Sequence, residues 1–302
     1  MQSSTHRLAW RDQKMKNVFF TGACTALVTP FLDGKVNYPM LEQLIRHQLD
    51  AGIHAIVLAG TTGESATLTD EEKLEMIRRA KAYTADDCLI IAGTGSNSTA
   101  HAVKLSIEAE KAGADGLLIV SPYYNKATPE GLYAHYLTIS KAVSLPIIAY
   151  NVPSRTGVDI PVSVYERLNE IPNVAGIKEA ATDITKITRI CRSCEKLSVW
   201  AGNDDHTVAA IALGAKGVIS VLSNVLPVQT QAMTMAALDG DFDTAAALQQ
   251  DMQPLVDLLF AEVNPIPVKE AMKYIGYDCG SCRLPLTALS KDNRMKLKEI
   301  FS

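Results

Sequence analysis

The stretch GADGLLIVSPYYN (residues 113–125) contains the unit that decides the fold. A glycine suited to the end of a helix precedes a short apolar run, and the run ends in polar and aromatic residues. Related units occur at Gly52-Ile53-His54-Ala55-Ile56 and at Gly214-Ala215-Lys216-Gly217-Val218. This recurrence predicts a chain built from repeated βα units.

Eight apolar runs of this kind follow one another along the chain. None of them alternates cleanly between apolar and polar residues, which is typical of strands that are buried on both faces of a parallel sheet. The runs are ACTALVT (23–29), AIVLAG (55–60), CLIIAG (88–93), GLLIVS (116–121), PIIAYN (146–151), VAGIK (174–178), LSVWAG (197–202) and GVISVL (217–222). Helical patterns lie between or after them, at residues 38–51, 69–83, 99–112, 128–143, 161–170, 183–194, 204–213 and 227–238. Because no antiparallel hairpin signal stands out, eight βα units favour a closed (β/α)8 TIM barrel over an open doubly wound sheet.

The pattern changes after residue 240. The remaining chain reads as three helices without an intervening strand, at residues 242–262, 265–276 and 285–300. We therefore predict a barrel over residues 15–240 and a C-terminal helical domain over residues 241–302. Residues 1–14 lack the apolar stretch of a secretory signal, and we interpret them as an extension or tag before a natural start at Met15.

Composition and charge exclude several classes of partner. The 302 residues include 29 basic and 33 acidic side chains, for a net charge of -4, so no basic surface suits nucleic acid or an anionic membrane. The apolar runs are far shorter than the roughly 20 residues of a membrane helix. We expect a cytoplasmic protein that acts on a small molecule.

Six cysteines include two Cys-x-x-Cys pairs, Cys191/Cys194 and Cys279/Cys282. Such spacing occurs in zinc and redox sites. The first pair falls in a predicted helix, and none of the six histidines has metal-ligand spacing. We therefore predict reduced thiols and no metal site.

The strongest candidate for chemistry is Lys178. In a parallel barrel the active site lies where the strands end at their carboxyl edge, and Lys178 closes an apolar strand there. Burial disfavours an ammonium ion, and a neutral amine is a nucleophile that converts a ketone to an imine. The alternative is a structural lysine paired with Glu179 or with a neighbouring carboxylate, and the residues alone leave both interpretations open.

Other strand ends carry candidates of lower specificity. Thr61 and Thr62 lie in a glycine-bounded turn that could hold a carboxylate, although a turn satisfied by its own hydroxyls is the alternative. A phosphate loop is disfavoured because the turn lacks the Gly-Lys-Ser/Thr ending. Tyr150 could transfer protons and Arg155 could bind a carboxylate, but a packing tyrosine and a surface arginine are equally ordinary.

Taken together, four motifs resemble the class I aldolase family of N-acetylneuraminate lyases and dihydrodipicolinate synthases, over about residues 15–302. They are GTTGES (60–65), YYN (123–125), YNVPSRTG (150–157) and GIKE (176–179). The resemblance is closest to the synthase branch. It implies a Schiff base between pyruvate and Lys178, followed by condensation with aspartate-4-semialdehyde to 4-hydroxy-tetrahydrodipicolinate, on the route to diaminopimelate and lysine. It implies neither a metal nor an organic cofactor.

The resemblance also implies a role for each site residue. Thr61 and Thr62 would hold the pyruvate carboxylate, Tyr150, Thr62 and Tyr124 would pass protons, Arg155 would bind the semialdehyde carboxylate, and Gly202 and Ile219 would lend backbone contacts. Tyr124 would reach in from a neighbouring subunit. The resemblance therefore implies a homotetramer built of tight dimers.

Two other functions stay open from the sequence. One is a pyruvate-dependent sugar-acid aldolase of the same family, which Arg155 and the Thr61-Thr62 pair disfavour. The other is a non-catalytic barrel that binds 2-oxo acids, which has no need of an imine-forming lysine.

The sequence differs from lysine-inhibited relatives at the positions that bind lysine. Inhibited relatives bind lysine near positions that match Ser65, Ala66, Asp70, Lys73, Asn97, His101 and Tyr123. Here His101 replaces the glutamate that engages the lysine ammonium group, and Lys73 replaces a histidine. A cationic ligand would meet positive charge, so we predict weak or absent inhibition by lysine.

Overall fold

The computed structural model describes residues 18–84 and 87–302. Eight parallel strands form a closed barrel in which each strand pairs with its neighbours in sequence and the last strand pairs with the first. The strands are β1 (Gly22–Ala26), β2 (Ala55–Leu58), β3 (Leu89–Gly93), β4 (Gly116–Val120), β5 (Ile147–Asn151), β6 (Val174–Glu179), β7 (Ser198–Ala201) and β8 (Gly217–Ser220). The predicted (β/α)8 TIM barrel is confirmed.

One principal helix follows each strand. These are α1 (Tyr38–Asp50), α2 (Asp70–Thr84), α3 (Thr99–Lys111), α4 (Pro129–Ser140), α5 (Val162–Leu168), α6 (Thr185–Ser193), α7 (Thr207–Ala212) and α8 (Pro227–Asp239). Local sequence explains where several of them begin. Before α2, the Thr69 amide donates to Glu72 over 3.0 Å and the Glu72 amide donates to the Thr69 hydroxyl over 3.2 Å, which is the reciprocal pattern of a capping box.

The interior of the barrel is packed with side chains. Trp200 is fully buried, stacks on Phe20 with 4.5 Å between the ring centroids, and donates its indole N–H to the Phe20 carbonyl over 3.2 Å. Gly176 makes room for this ring and for the neighbouring strand, since a Cβ there would lie 2.1 Å from the Ser198 carbonyl oxygen. The filled interior confines ligand chemistry to the ends of the strands.

A small hairpin lies between β1 and α1, where Phe31–Leu32 pairs antiparallel with Lys35–Val36. Asp33 and Gly34 turn the chain with φ values of +51° and +75°. The interpretation that the chain carries no hairpin signal was wrong, because Asp-Gly between two short strands is the sequence of a type I′ turn. The hairpin stands outside the barrel and leaves the fold class unchanged.

Three helices follow the barrel: α9 (Phe242–Leu259), α10 (Ile266–Tyr274) and α11 (Lys291–Ile300). Helix α11 begins at Lys291 rather than near residue 285, because Ser290 caps it by accepting from the Asn293 amide. The division into domains at residue 240 stays a prediction, and the interpretation of residues 1–14 lies outside the described residues. In the described ranges no helix combines the length and apolar character needed to cross a membrane.

Candidate active site

Lys178 lies at the carboxyl end of β6, beside Tyr150 on β5. The two residues are in register, so their side chains leave neighbouring strands on the same face. Lys178 is 5% exposed, and its Nζ lies 4.5 Å from the centroid of the Tyr150 ring. Within the part of the chain that the structure describes, no hydrogen bond or ion pair engages this nitrogen. A buried amine without an ionic partner is available for covalent chemistry.

Glu179 does not pair with Lys178, because successive residues of a strand point to opposite faces. Its carboxylate accepts from Asn151 Nδ2 over 2.7 Å and from the Tyr165 hydroxyl over 3.1 Å, and it lies 3.5 Å from Lys186 Nζ. Burial raises the pKa of Glu179, while these neighbours favour its charged form. Glu179 is therefore a structural residue of the GIKE motif. The alternative in which Lys178 pairs with Glu179 is wrong.

The Thr61-Thr62 turn follows β2. The Glu64 amide donates to the Thr61 carbonyl over 3.1 Å, and the Thr29 hydroxyl donates to the Gly63 carbonyl over 2.7 Å. Among the described residues, no acceptor pairs with the amides of Thr61, Thr62 and Gly63. Successive free amides in a turn can form a nest that suits a carboxylate.

A cavity of about 510 Å³ opens above these strand ends. Thr61, Tyr150, Arg155, Tyr123 and Asn264 are part of its lining. Lys178 and Thr62 are not in the lining, but they contact it through Tyr150 and Asn264 respectively. The structure thus brings together most of the predicted catalytic and carboxylate-binding residues.

Arg155 is exposed at the edge of the cavity, where its Nη2 lies 3.4 Å from the Asn264 carbonyl oxygen. Gly202 follows β7, and a Cβ there would lie 2.6 Å from the Ala180 Cβ. Ile219 is buried inside the barrel. Gly202 and Ile219 do not belong to the cavity lining that the described residues form.

Tyr124 stands apart from the other predicted residues. It is 86% exposed and adopts a left-handed backbone with φ of +73°, while its neighbour Tyr123 lines the cavity. A left-handed conformation costs a non-glycine residue about 1–2 kcal/mol. Within one chain the structure does not bring Tyr124 to Lys178.

Asn264 is a site residue that sequence reasoning missed. It lies between α9 and α10, is 5% exposed, and donates from Nδ2 to the Thr62 hydroxyl over 3.0 Å. It is 202 residues from Thr62 along the chain, so no local spacing reveals the contact. The available signal was modest: a polar residue before Pro265, in the segment where the helical pattern breaks.

Asp204 lies just after β7 and binds the end of β8. It is buried, and it accepts from the Ser220 hydroxyl, from the Val221 amide over 2.9 Å and from the Leu222 amide over 3.1 Å. Burial raises its pKa. These bonds tie the end of β8 to the segment after β7 and so stabilise the rim of the barrel.

The positions compared with the lysine site of relatives lie around the same cavity. Ser65, Ala66, Asp70, Lys73, His101 and Tyr123 line it, whereas Asn97 does not. His101 Nε2 lies 2.9 Å from an Asp70 carboxylate oxygen. Lys73 is 8% exposed, and burial lowers its pKa.

Burial also dominates the chemistry of the second Cys-x-x-Cys pair. It raises the pKa of Cys279 to about 12 and that of Cys282 to about 11, so both are thiols near neutral pH. In residues 18–84 and 87–302, no group of three or more histidine, cysteine, aspartate or glutamate residues is placed to hold a metal ion.

Comparison with known proteins identifies the family. Residues 19–302 match the model of the Dihydrodipicolinate synthetase family. A 4-hydroxy-tetrahydrodipicolinate synthase of Caldicellulosiruptor saccharolyticus is 46% identical over 281 residues, which cover 93% of this chain and 95% of the relative. The crystal structure of a dihydrodipicolinate synthase from Aquifex aeolicus is 45% identical, with a TM-score of 0.91 over 93% of this chain and 97% of its own. That of a Cyanidioschyzon merolae enzyme with lysine bound is 38% identical, with a TM-score of 0.91 over 94% and 97%. On this evidence of sequence and fold, the chain belongs to the dihydrodipicolinate synthetase family.

Proposed function

We propose that this protein is a lyase that condenses pyruvate with aspartate-4-semialdehyde to 4-hydroxy-tetrahydrodipicolinate, a step in the biosynthesis of diaminopimelate and lysine. The observation that carries the proposal is a buried amine, Lys178 Nζ, that lies beside Tyr150 and makes no hydrogen bond or salt bridge with the described residues. Relatives at 46% and 45% identity bear the name of this activity.

The first step is imine formation. The Lys178 amine adds to C2 of pyruvate, and loss of water gives the imine. The pyruvate carboxylate binds the free amides and hydroxyls of the Thr61-Thr62 turn, which orients the ketone towards β6. The protonated imine accepts the electron pair that C3 releases, so the reaction as proposed needs neither a metal nor an organic cofactor.

The second step forms the carbon–carbon bond. Tyr150 gives its proton to the hydroxyl that leaves as water during imine formation, and then accepts a proton from C3. The resulting enamine attacks the aldehyde carbon of the semialdehyde, whose carboxylate binds Arg155. Tyr150 and Thr62 relay a proton to the new alkoxide. The amine of the second substrate then attacks the imine carbon, which closes the ring and releases Lys178.

Tyr124 completes this relay only in an oligomer. Its exposed ring and left-handed backbone suit a residue that another copy covers, so we propose that Tyr124 enters the site of a neighbouring subunit. The homotetramer of tight dimers, and backbone contacts from Gly202 and Ile219 to substrate, remain part of this proposal.

The charged residues that line the cavity above the strand ends support weak or absent inhibition by lysine. A dihydrodipicolinate synthase of Cyanidioschyzon merolae has been crystallised with lysine bound. Here Lys73 contributes a buried cation, and the Asp70 carboxylate is already engaged by His101. A lysine ammonium group would meet repulsion without a free carboxylate among these residues.

Borohydride reduction in the presence of pyruvate tests the chemistry. We expect a covalent adduct on Lys178 by mass spectrometry, and none in Lys178→Ala. Cyclisation with aspartate-4-semialdehyde, measured beside cleavage of sugar acids, separates the synthase from a sugar-acid aldolase. Absence of the adduct in the wild-type protein would contradict the proposal and leave a binding protein.

A further inference from the structure

We propose that Asn264 is a positioning residue: its side-chain amide keeps the hydroxyl hydrogen of Thr62 directed towards the bound substrate. This inference rests on the proposed function, because it assigns Thr62 a proton to give. It adds a residue from the C-terminal helical segment to a site that the barrel strands otherwise build.

The hydrogen bond between the two side chains has a fixed direction. An amide nitrogen only donates, so Thr62 Oγ1 accepts from Asn264 Nδ2 over 3.0 Å. A hydroxyl has one hydrogen, and with a donor on one side this hydrogen must point elsewhere. Among the described residues no acceptor takes it. Thr62 therefore presents a donor without a protein partner, 2% exposed, beside the cavity.

Asn264 is held rigidly enough to impose this direction. Its own carbonyl oxygen accepts from Arg155 Nη2 over 3.4 Å. Helix α10 begins two residues later, and its Lys269 binds the Glu64 carboxylate over 2.9 Å. Glu64 belongs to the same turn as Thr62, so donor and acceptor are fixed to one frame.

The other end of the Asn264 amide is unusual. Asn264 Oδ1 is buried and has no hydrogen-bond partner in the described structure, although Asn264 lines the cavity. A buried polar atom left unpaired is unfavourable by about 1–3 kcal/mol. Such a cost is ordinary where a ligand supplies the missing partner.

Asn264→Asp gives the sharpest test, because it keeps the shape and changes only which partner donates. Ionised aspartate can only accept, so the Thr62 hydrogen would turn away from the substrate. Protonated aspartate can donate again, as asparagine does. The assay is the rate at which pyruvate alone forms the borohydride-trapped adduct on Lys178, which requires no second substrate and hence no Arg155.

We expect Asn264→Asp to slow adduct formation at least 10-fold at pH 8, with a deficit that shrinks as the pH falls towards 5. Asn264→Ala should be slowed equally at every pH, because it has no titrating group. The matched control is Asn173→Asp, an amide that binds the Ser140 and Val143 carbonyls outside the cavity lining, and it should behave like wild type.

Three results would overturn the inference. Wild-type rates in Asn264→Asp at pH 8 would mean that Oδ1 receives the Thr62 hydrogen. A loss independent of pH and equal in the Asp and Ala variants would mean that Asn264 only supports the fold. If wild-type protein formed no adduct, the proposed function itself would fail and the inference with it.

Discussion

Replacing Lys269 by methionine should destabilise the protein strongly, although Lys269 lies in a helix outside the barrel. Lys269 and Glu64 form a buried ion pair over 2.9 Å, with side chains 3% and 1% exposed. Glu64 also accepts from the Arg283 amide over 2.8 Å, and Lys269 Nζ donates to the Ser281 carbonyl over 3.2 Å. Lys269→Met removes the cation and leaves a buried carboxylate without its charge partner.

Breaking one partner of a buried pair costs about 3–5 kcal/mol of unfolding free energy. For a chain of this size that corresponds to a fall in the melting temperature of roughly 10 °C. The double variant Glu64→Gln/Lys269→Met should recover at least half of the loss, because glutamine keeps an oxygen for Arg283 and buries no charge.

Denaturant unfolding and thermal melting of the full-length variants measure both effects. Lys273→Met is the matched control: it lies on the same helix, its side chain is 42% exposed, and its partner Glu270 keeps a second pair with Arg294, so it should cost less than about 1 kcal/mol. A loss below 1 kcal/mol in Lys269→Met, or a double variant no more stable than the single one, would refute the argument that burial makes this pair indispensable.

Three further predictions concern substrate, pH and inhibitor. Arg155→Ala should leave the pyruvate adduct intact and raise KM for the semialdehyde at least 10-fold, measured by steady-state kinetics; an unchanged KM would remove Arg155 from the site. Burial lowers the pKa of His135 from 6.5 to about 4, so unfolding takes up a proton between these values. The His135 contribution to stability is therefore fully present above pH 6.5, and about 3 kcal/mol of it is lost as the pH drops to 4. His135→Asn should flatten this part of the stability profile measured by denaturant unfolding, and an unchanged profile would contradict the assignment to His135. Finally, 1 mM lysine should inhibit initial rates by less than half, and stronger inhibition would show that Lys73 and His101 accommodate the ligand.

The barrel was predictable because its signals are local and repeated. Seven of the eight strands are short apolar runs that follow a helix end in the described chain, and the capping pair Thr69 and Glu72 places α2 within one residue. The hairpin was missed for a different reason: two-residue strands carry almost no periodicity, and only Asp33-Gly34 marks the turn.

The choice between Lys178 and Glu179 shows where sequence reasoning reached its limit. Both residues close the same apolar run, and composition alone does not say which one faces the interior. Pairing between strands decides it, because Lys178 is opposite Tyr150 and Trp200 while Glu179 is opposite Asn151. A shift of one residue would exchange the two roles. The register of the whole sheet thus decides which residue is the proposed nucleophile.

The residues that sequence reasoning missed make contacts with residues that are far away in the sequence. Asn264 and Thr62 are 202 residues apart, and Lys269 and Glu64 are 205 residues apart. No periodic pattern connects residues at that distance. Sequence reasoning therefore identified the side chains that are proposed to perform the chemistry, but not the side chains that hold them.

The residues proposed to perform the chemistry and the residues that hold them in place lie in different parts of the fold. This difference bears on how the site works. Strands β5 and β6 place Tyr150 beside Lys178 through backbone pairing, which tolerates many side-chain changes elsewhere. The Thr61-Thr62 turn has no such support, since it lies beyond the end of β2 and leaves its own amides free for a ligand. Besides the Thr29 hydroxyl on the Gly63 carbonyl, it is held by side chains from beyond the barrel: Asn264 on the Thr62 hydroxyl and Lys269 on Glu64. Keeping those amides available for substrate requires that other groups fix the turn. The C-terminal helices therefore belong to the candidate active site, because they position the turn that is proposed to bind the substrate carboxylate.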